Sequence, residues 1–362
     1  TVSNSRNYTI GIGINALRNN NTAYIIAIGF QAGENNTSGD ENTYLGYSAG
    51  WKNQTGQYVT AVGYEAGAYA TGSRNTFVGR RAGKGSDSTP YASGDSNTAM
   101  GYDAFRFGET AYGNVCIGDR SGELIKTGYR NVYIGGYRTG YYNHAGHSNV
   151  GIGAGAIGSD ANQYVNELVA IGGAAGALTA GNVGDTDGNV YVGYNAGYSN
   201  VSGSGLTMLG YKAGQNATGS YNTYLGYRAG QGTGGAAATS GDHNTGVGYE
   251  VLKATTSGYR NTTLGYKAGV SVTTGYSNVL IGYETAEGIS SGYENVVVGA
   301  NPSQANLQQS TLIGFNAGKE GTAHNVVGVG YKALGTGTLT TAANGAVAVG
   351  YQALEDLTSG TK

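Results

Sequence analysis

The chain has little of what builds disulfide-linked, collagen-like or strongly charged proteins. Its 362 residues include one cysteine, Cys116, and only 2 prolines. A single cysteine excludes an internal disulfide framework and any zinc site made from several cysteines. Charged residues make up 12% of the chain and the formal net charge is −2, so we predict no nucleic-acid partner. The cysteine lies inside a repeated tract, where we expect it to serve packing alone.

Long apolar runs are absent as well. No stretch approaches the ~18–20 residues that a helix needs to cross a bilayer, so we predict no membrane span in this segment. The sequence shows no signal peptide or initiator methionine, and it starts inside a repeat at Thr1. We therefore expect it to be a piece of a longer protein.

Glycine and tyrosine are abundant, at 68 and 31 residues, and much of both belongs to a recurring tract. Its fullest form is the segment 42–50, NTYLGYSAG. Repetition at a short period is typical of a solenoid, whose coils are stable only against their neighbours. We predict one elongated domain over residues 1–362, all-β, with about 20 coils of about 17 residues. The 20 copies are anchored on Gly13, Gly29, Gly46, Gly63, Gly79, Gly101, Gly118, Gly135, Gly153, Gly172, Gly193, Gly210, Gly226, Gly248, Gly265, Gly282, Gly299, Gly314, Gly330 and Gly350.

Each copy predicts one short strand before its anchor glycine. The residue directly before the anchor is aliphatic in every copy, and the residue three before it is β-branched, as in Leu45 and Thr43. Residues two apart face the same side of a strand. The residue between them varies widely, as in Tyr44. We therefore expect the β-branched and aliphatic pair to face the core and the variable residue to face outward.

The anchor glycine is expected to end the strand, because a residue without a Cβ can turn or let another backbone approach. The anchors that represent this role are Gly46, Gly63, Gly210, Gly226 and Gly265. An alanine usually follows three residues later, and the rest of the unit is polar and glycine-rich. Such a coil accommodates two short strands and two turns.

Asparagine recurs four residues before the anchor, for example at Asn42, Asn75, Asn222, Asn261 and Asn278. In stacked coils these amides can hydrogen-bond to each other along the axis. Alternatively, each closes a turn with its own backbone. Both interpretations are structural.

Surface recognition is expected from aromatic residues and from insertions. An aromatic residue usually follows the anchor, as in Tyr47 and Tyr227, and we hypothesise that outer tyrosines stack on sugar rings. The longest gaps between anchors contain the segments 85–90 and 232–237, which we expect to leave as loops. Tyr91 and His243 lie close to these segments and complete the candidate recognition residues.

The tract of a β-branched residue, a variable residue, an aliphatic residue, glycine and then alanine resembles the head repeats of trimeric autotransporter adhesins, the YadA-like head. It is also similar to Gly/Asn-rich repeats of bacteriophage tail fibres. The resemblance implies a left-handed parallel β-roll, an intertwined or side-by-side homotrimer, and a role in attachment. Two features depart from the family pattern: the period here is longer, and tyrosine is far more frequent.

The resemblance therefore predicts an extracellular fibre or adhesin segment, on a virion tail or a bacterial surface, that binds a host glycan or protein receptor. A phage tail fibre or receptor-binding shaft is the first hypothesis. The alternatives are a tailspike that degrades polysaccharide, a bacterial adhesin head, and a self-polymerising filament.

Motifs for catalysis, cofactors and metals are weak. The glycine pattern at 153–158 matches a nucleotide-binding motif, but the repeat explains it. His144 and His147 form an H-x-x-H pair that could bind a metal, and exposed turn residues are the simpler interpretation. We predict no enzyme activity, no cofactor and no metal. Ice binding through the recurrent threonines is disfavoured by their expected burial.

Overall fold

The computed structural model describes residues 8–87, 92–158, 164–177, 188–233, 240–301, 306–318, 323–335 and 340–357. The chain divides into two compact units, Thr1–Asp187 and Gly188–Lys362. Within the described ranges there is no α-helix, and one 3₁₀ turn covers Thr341–Ala343. The predicted all-β parallel solenoid is confirmed.

Ten three-residue strands follow one another in the first unit. Each pairs in parallel with the next, so equivalent repeat positions lie side by side. The strands are β1 Ile10–Ile12, β2 Ile26–Ile28, β3 Thr43–Leu45, β4 Thr60–Val62, β5 Thr76–Val78, β6 Thr98–Met100, β7 Val115–Ile117, β8 Val132–Ile134, β9 Val150–Ile152 and β10 Val169–Ile171.

The second unit repeats this arrangement, again with ten strands. Consecutive strands pair in parallel and in the same register. They are β11 Val190–Val192, β12 Thr207–Leu209, β13 Thr223–Leu225, β14 Thr245–Val247, β15 Thr262–Leu264, β16 Val279–Ile281, β17 Val296–Val298, β18 Thr311–Ile313, β19 Val327–Val329 and β20 Val347–Val349.

The other side of each coil is made of turns, so the expectation of two strands per coil is wrong for the described residues. There the only additional ladder contacts are isolated bridges, such as Ala70 with Ala92. The backbone explains the difference. In every copy the residue two after the anchor and the residue five before it have positive φ, as in Lys267 at 54° and Tyr58 at 59°. A left-handed residue interrupts an extended strand.

The prediction of which strand side chains face the core is also wrong, because the buried and exposed positions are exchanged. In all twenty strands the middle residue is buried and its two neighbours are partly or fully exposed. Tyr44 is fully buried, whereas Leu45 is 43% exposed. The core is therefore filled by the variable residue, by the alanine three after the anchor and by the buried asparagine.

Volume compensation between some neighbouring coils contributes to the variation at the inner position. A large inner side chain lies beside a glycine in the pairs Tyr133 and Gly151 and Tyr224 and Gly246, although large residues also follow one another, as at Tyr191 and Met208. A Cβ added at Gly151 would lie 3.0 Å from the Tyr133 ring, so the tyrosine uses the space that the glycine leaves. Close packing constrains the sum of neighbouring volumes rather than the residue type at one position.

The anchor glycines allow the coils to stack closely. Their φ angles lie between 120° and 152°, a range that L side chains rarely adopt. A Cβ added at Gly46 would lie 2.3 Å from the carbonyl oxygen of Gly63, the anchor of the next coil, and Gly226 and Gly265 meet the next anchor in the same way. Both conformation and contact therefore require glycine.

Candidate interaction surface

In each unit, the exposed side chains of the strands form what we call the strand face. It has two rows, one of the β-branched residues that begin each strand and one of the aliphatic residues that end it. Among the latter, Ile12 is 55% exposed and Leu264 is 48% exposed. The threonines of the first row, such as Thr262, are exposed or partly exposed, which overturns their expected burial. The face is regular, with one aliphatic row and one row that mixes valine, isoleucine and threonine, and it contributes little to the core of the single chain.

A second exposed feature is the aromatic ladder formed by the residues that follow the anchors. The rings of neighbouring coils stack nearly parallel, with centroids 5.0 to 5.6 Å apart. Basic side chains flank it, as with Arg228 over Tyr227 at 5.0 Å. The stacked runs are Phe30–Tyr47–Tyr64, Tyr194–Tyr211–Tyr227–Tyr249–Tyr266–Tyr283 and Phe315–Tyr331–Tyr351.

The two candidate recognition tyrosines of this ladder lie inside its runs. Tyr47 is stacked between Phe30 at 5.1 Å and Tyr64 at 5.0 Å. Tyr227 has neighbouring rings at 5.2 and 5.1 Å. Because neighbours cover both faces of each ring, sugar stacking has no free face at these positions. The exposed edges and hydroxyl groups remain available for contact.

A further set of rings lies before the strands, six or five residues ahead of the anchor. Tyr112, Tyr129 and His147 form one stack, with centroids 4.9 and 4.7 Å apart. The candidate His243 is exposed and lies against the Tyr221 ring at 5.0 Å. Tyr91 lies outside the described residues, as do 88–90 and 234–239, which hold most of the two insertions.

The recurrent asparagines form a buried ladder along the stacked coils. The Nδ2 of Asn261 donates to Asn244 Oδ1 at 3.0 Å and to the carbonyl oxygen of Gly275 at 2.9 Å. Its Oδ1 accepts from the backbone N–H and the Nδ2 of Asn278, at 3.1 and 2.9 Å. Each amide thus binds the coil before it and the coil after it.

The other predicted asparagines take part in the same way where the neighbouring coil permits. Asn75 accepts from the backbone and side chain of Asn97. In the next coil Val59 occupies the position equivalent to Asn42, and its backbone N–H donates to Asn42 Oδ1 at 2.8 Å. Asn222 adds a local bond to the carbonyl oxygen of Gly219 at 3.0 Å. Axial bonding therefore dominates, and local turn closure occurs beside it.

Sequence analysis missed a second set of buried asparagines, about seven residues after the anchor. Asn53 Nδ2 donates to the Tyr44 hydroxyl at 2.6 Å, and Asn200 does the same to Tyr191 at 2.6 Å. Burial raises the pKa of both phenols. A buried tyrosine needs a partner for its polar end, so a tyrosine in the middle of a strand was the signal for this pairing.

Charged residues concentrate on the turn side in small ion-pair groups. Glu250 lies 2.8 Å from Lys253 and 3.3 Å from Arg228. Burial works to raise the pKa of Glu250, but the bonds and charges of these two cations outweigh it and the pKa is lowered. Glu123 differs, because burial and the Asp103 carboxylate raise its pKa against the opposing effect of nearby arginines.

Possible metal ligands and reactive side chains are scattered in the described part of the chain. It contains no group of three or more His, Cys, Asp or Glu side chains that could hold a metal ion. Partial burial and Lys126 lower the pKa of His144, although Glu109 opposes them. Cys116 is fully buried, and this burial raises the pKa of its thiol. The described residues also include no apolar helix of membrane-spanning length.

Comparison with known proteins identifies no family for this chain. No protein-family model matches it, and no curated protein is similar enough to count as a relative. The resemblance to fibre and adhesin repeats therefore stays a prediction.

Proposed function

We propose that this chain is a structural segment of an extracellular attachment fibre, with a phage tail fibre or receptor-binding shaft as the first candidate and a bacterial adhesin head as the alternative. The observation that carries the proposal is the strand face. Its rows keep β-branched and aliphatic residues in every repeat, although the single chain leaves many of them exposed. A pattern that the chain's own core does not require is explained by contact between copies.

The length and regularity of the strand face support self-association. Strands stack about 4.8 Å apart, so the ten strands of the first unit carry the two rows over about 43 Å. With a width near 10 Å, the face covers on the order of 400 Å², threonine side chains included, before the aromatic ladder is added. This lies within the ~300–600 Å² of the largest apolar patch on a typical monomer, and such patches are often functional. We propose a homotrimer of left-handed β-rolls, as the resemblance implies.

Absolute mass in solution tests the assembly. Light scattering after size exclusion is expected to give about 110 kDa, three times the chain mass of 36.8 kDa. Leu264→Lys places a charge on the strand face, and we expect it to lower this mass. Ser257→Lys, on an exposed turn of the same repeat, is the control. A single-chain mass for the unaltered protein would refute the trimer, and an open-ended series of masses would favour the filament.

Attachment itself needs a separate measurement. A fluorescent form of the chain is expected to adsorb to host-cell surfaces and to leave polysaccharide uncleaved. Release of reducing ends from a capsule or lipopolysaccharide preparation would instead favour the tailspike.

A second candidate, ice binding, is favoured by one observation: the threonines that were expected inside lie on the outer face in register. Ice recrystallisation in the presence of the chain tests it. The row of large aliphatic residues beside them fits contact between copies better, so we expect crystal growth to be unchanged.

A further inference from the structure

The first unit contains an open cleft of about 470 Å³ beside the aromatic stack of Tyr112, Tyr129 and His147. Ligand sites in proteins are commonly clefts of about 300–1,000 Å³ with a few well-placed polar groups. This cleft combines an aromatic ring, two guanidinium groups, a carboxylate and hydroxyl groups. The lining residues on which the argument depends are Arg74, Asp95, Thr110, Tyr112, Gly113 and Arg130.

The cleft exists because one repeat lacks a side chain. The position five before the anchor is Arg74, Ser96, Gly113 and Arg130 in four successive copies. Gly113 has a φ of 65°, and a Cβ built on it would meet nothing closer than Arg130 Cγ at 3.7 Å. The missing side chain leaves a hollow in an otherwise continuous row.

Tyr112 gives this hollow an aromatic wall. It is the first ring of its stack: one face lies against Tyr129, with centroids 4.9 Å apart and planes within 3°. The coils stack in register, so the second face points toward the preceding coil, where Asp95 holds the equivalent position. Among the described residues, Tyr129 is the one ring that stacks on Tyr112. Unlike Tyr47 and Tyr227, Tyr112 therefore has a second face that no neighbouring ring covers.

The charges of the cleft do not cancel. Arg74 pairs with Asp95 at 3.0 Å and also donates to Ser96 at 3.1 Å. Arg130 has no ion pair with any acid in the described part of the chain. The cleft thus carries a net positive charge on an arginine, the side chain best suited to bind a carboxylate through two parallel hydrogen bonds.

We propose that this cleft binds a pyranose that bears a carboxylate, as found in uronic and nonulosonic acids of acidic surface polysaccharides. The carboxylate pairs with Arg130, a C–H face of the sugar packs on Tyr112, and ring hydroxyls bond to Asp95 and Thr110. Gly113 provides the room. The inference rests on the proposed attachment function and names the chemical class of its receptor.

Calorimetric titration of the full chain tests the site with galacturonate, glucuronate and N-acetylneuraminate glycosides, each beside its neutral methyl ester. We expect at least one acid to bind at least tenfold more tightly than its ester. Arg130→Gln is expected to remove at least tenfold of this affinity. Arg260→Gln alters an arginine at the same repeat position in the second unit, and this control should bind as the unaltered chain does.

Gly113→Gln tests the shape of the site without removing any polar group. Gln309 occupies the same repeat position with a φ of 51°, so the fold accommodates glutamine there. We expect the variant to keep the circular dichroism of the parent and to lose binding by at least tenfold. The site is wrong if both Arg130→Gln and Gly113→Gln bind the acid as tightly as the unaltered chain does. It is also wrong if the unaltered chain binds none of the three acids.

Failure of the site and failure of the proposed function give different results. If the chain adsorbs to cells and the two variants adsorb equally well, the site is wrong and the attachment function stands. If the chain binds an acidic glycoside through this cleft but adsorbs to no cell surface, the site stands and the attachment function is wrong.

Discussion

The buried asparagine ladder provides the sharpest test of how the coils are held together, and Asn114→Asp is the most informative change. The two side chains have nearly the same shape, so packing is preserved while one nitrogen becomes an oxygen. In the native chain, Asn114 Nδ2 donates to Asn97 Oδ1 at 3.1 Å and to the carbonyl oxygen of Gly128 at 2.9 Å. After the substitution, both of these oxygens face another oxygen.

The expected cost follows from the groups left without partners. A buried acceptor without a hydrogen bond costs about 1–3 kcal/mol. Gly128 loses the amide donor, whereas Asn97 Oδ1 keeps the backbone N–H of Asn114 at 3.0 Å. We therefore expect the free energy of unfolding to fall by about 1–3 kcal/mol from the unpartnered acceptor, and by more when the buried carboxylate is charged, which is a large share of the ~5–15 kcal/mol typical of folded proteins.

The loss should also depend on pH in a defined direction. Burial raises the pKa of the new carboxyl group above its value in the unfolded chain. A raised pKa means that the folded state prefers the protonated form, so the penalty is smallest below the unfolded pKa and grows as pH rises through the folded pKa. The protonated group also regains one O–H donor for the ladder.

Urea unfolding followed by circular dichroism at several pH values measures both effects. Asn19→Asp is the control, because Asn19 is exposed and its amide bonds to Asn35 at 3.2 Å on the surface. We expect the control to change the unfolding free energy by less than about 0.5 kcal/mol. Equal effects of the two substitutions, or a penalty at Asn114 that does not change with pH, would refute the view that this ladder stabilises the stack.

Three further predictions concern the anchors, the ion pairs and the cysteine. Gly46→Ala is expected to destabilise the fold by several kcal/mol or to prevent folding, because its Cβ would lie 2.3 Å from the carbonyl oxygen of the next anchor. Gly155→Ala is the control: its φ is 68° and no atom lies within 4 Å of the added Cβ, so thermal unfolding should show a cost of about 1–2 kcal/mol. Glu250→Gln should lower the free energy of unfolding by under about 1 kcal/mol above pH 4.5, and this difference should disappear as pH falls through the lowered folded pKa of Glu250. Glu123→Gln should raise the free energy of unfolding by a similar amount above the raised folded pKa of Glu123, and the gain should be lost below pH 4.5. Urea titrations in which both substitutions change stability in the same direction would contradict the two opposite pKa shifts. Cys116 should react with a thiol reagent only at the rate at which the coil opens, and rapid labelling of the native chain would contradict its burial.

The repeat made the fold class predictable from the sequence. Twenty spaced glycines, each preceded by an aliphatic and a β-branched residue, indicated a strand before each anchor, and each strand is found there, whereas the second strand expected in each coil is replaced by turns. The anchor glycine was correctly expected to allow a turn or a close backbone approach. Local residue preference was sufficient to predict these features, because the same residue types occur at the same positions of every repeat.

The orientation of the strand was not predictable from the same pattern. A residue such as Leu45 has equal reason to enter a core or to meet another chain, since both environments exclude water. The inner position looked unspecified because Tyr133 is compensated by Gly151 one coil away. A variable position was therefore mistaken for an exposed one.

The candidate surface was predictable only in part. Sequence alone identified the aromatic residues but not that Tyr47 and Tyr227 lie between other rings while Tyr112 ends a stack. Gly113 looked like one more glycine among many. Its effect depends on Arg74 and Arg130, which belong to other coils and are brought beside it by stacking.

What the sequence by itself determined is the period, the position of each strand and the need for glycine at each anchor, since these depend on local backbone conformation repeated many times. Only the tertiary structure decided which side of the strand is the core, which asparagines bond along the axis and where a cleft opens. These properties depend on contacts between residues about one coil or more apart, and such contacts are set by how the volumes and polar groups of neighbouring coils fit together.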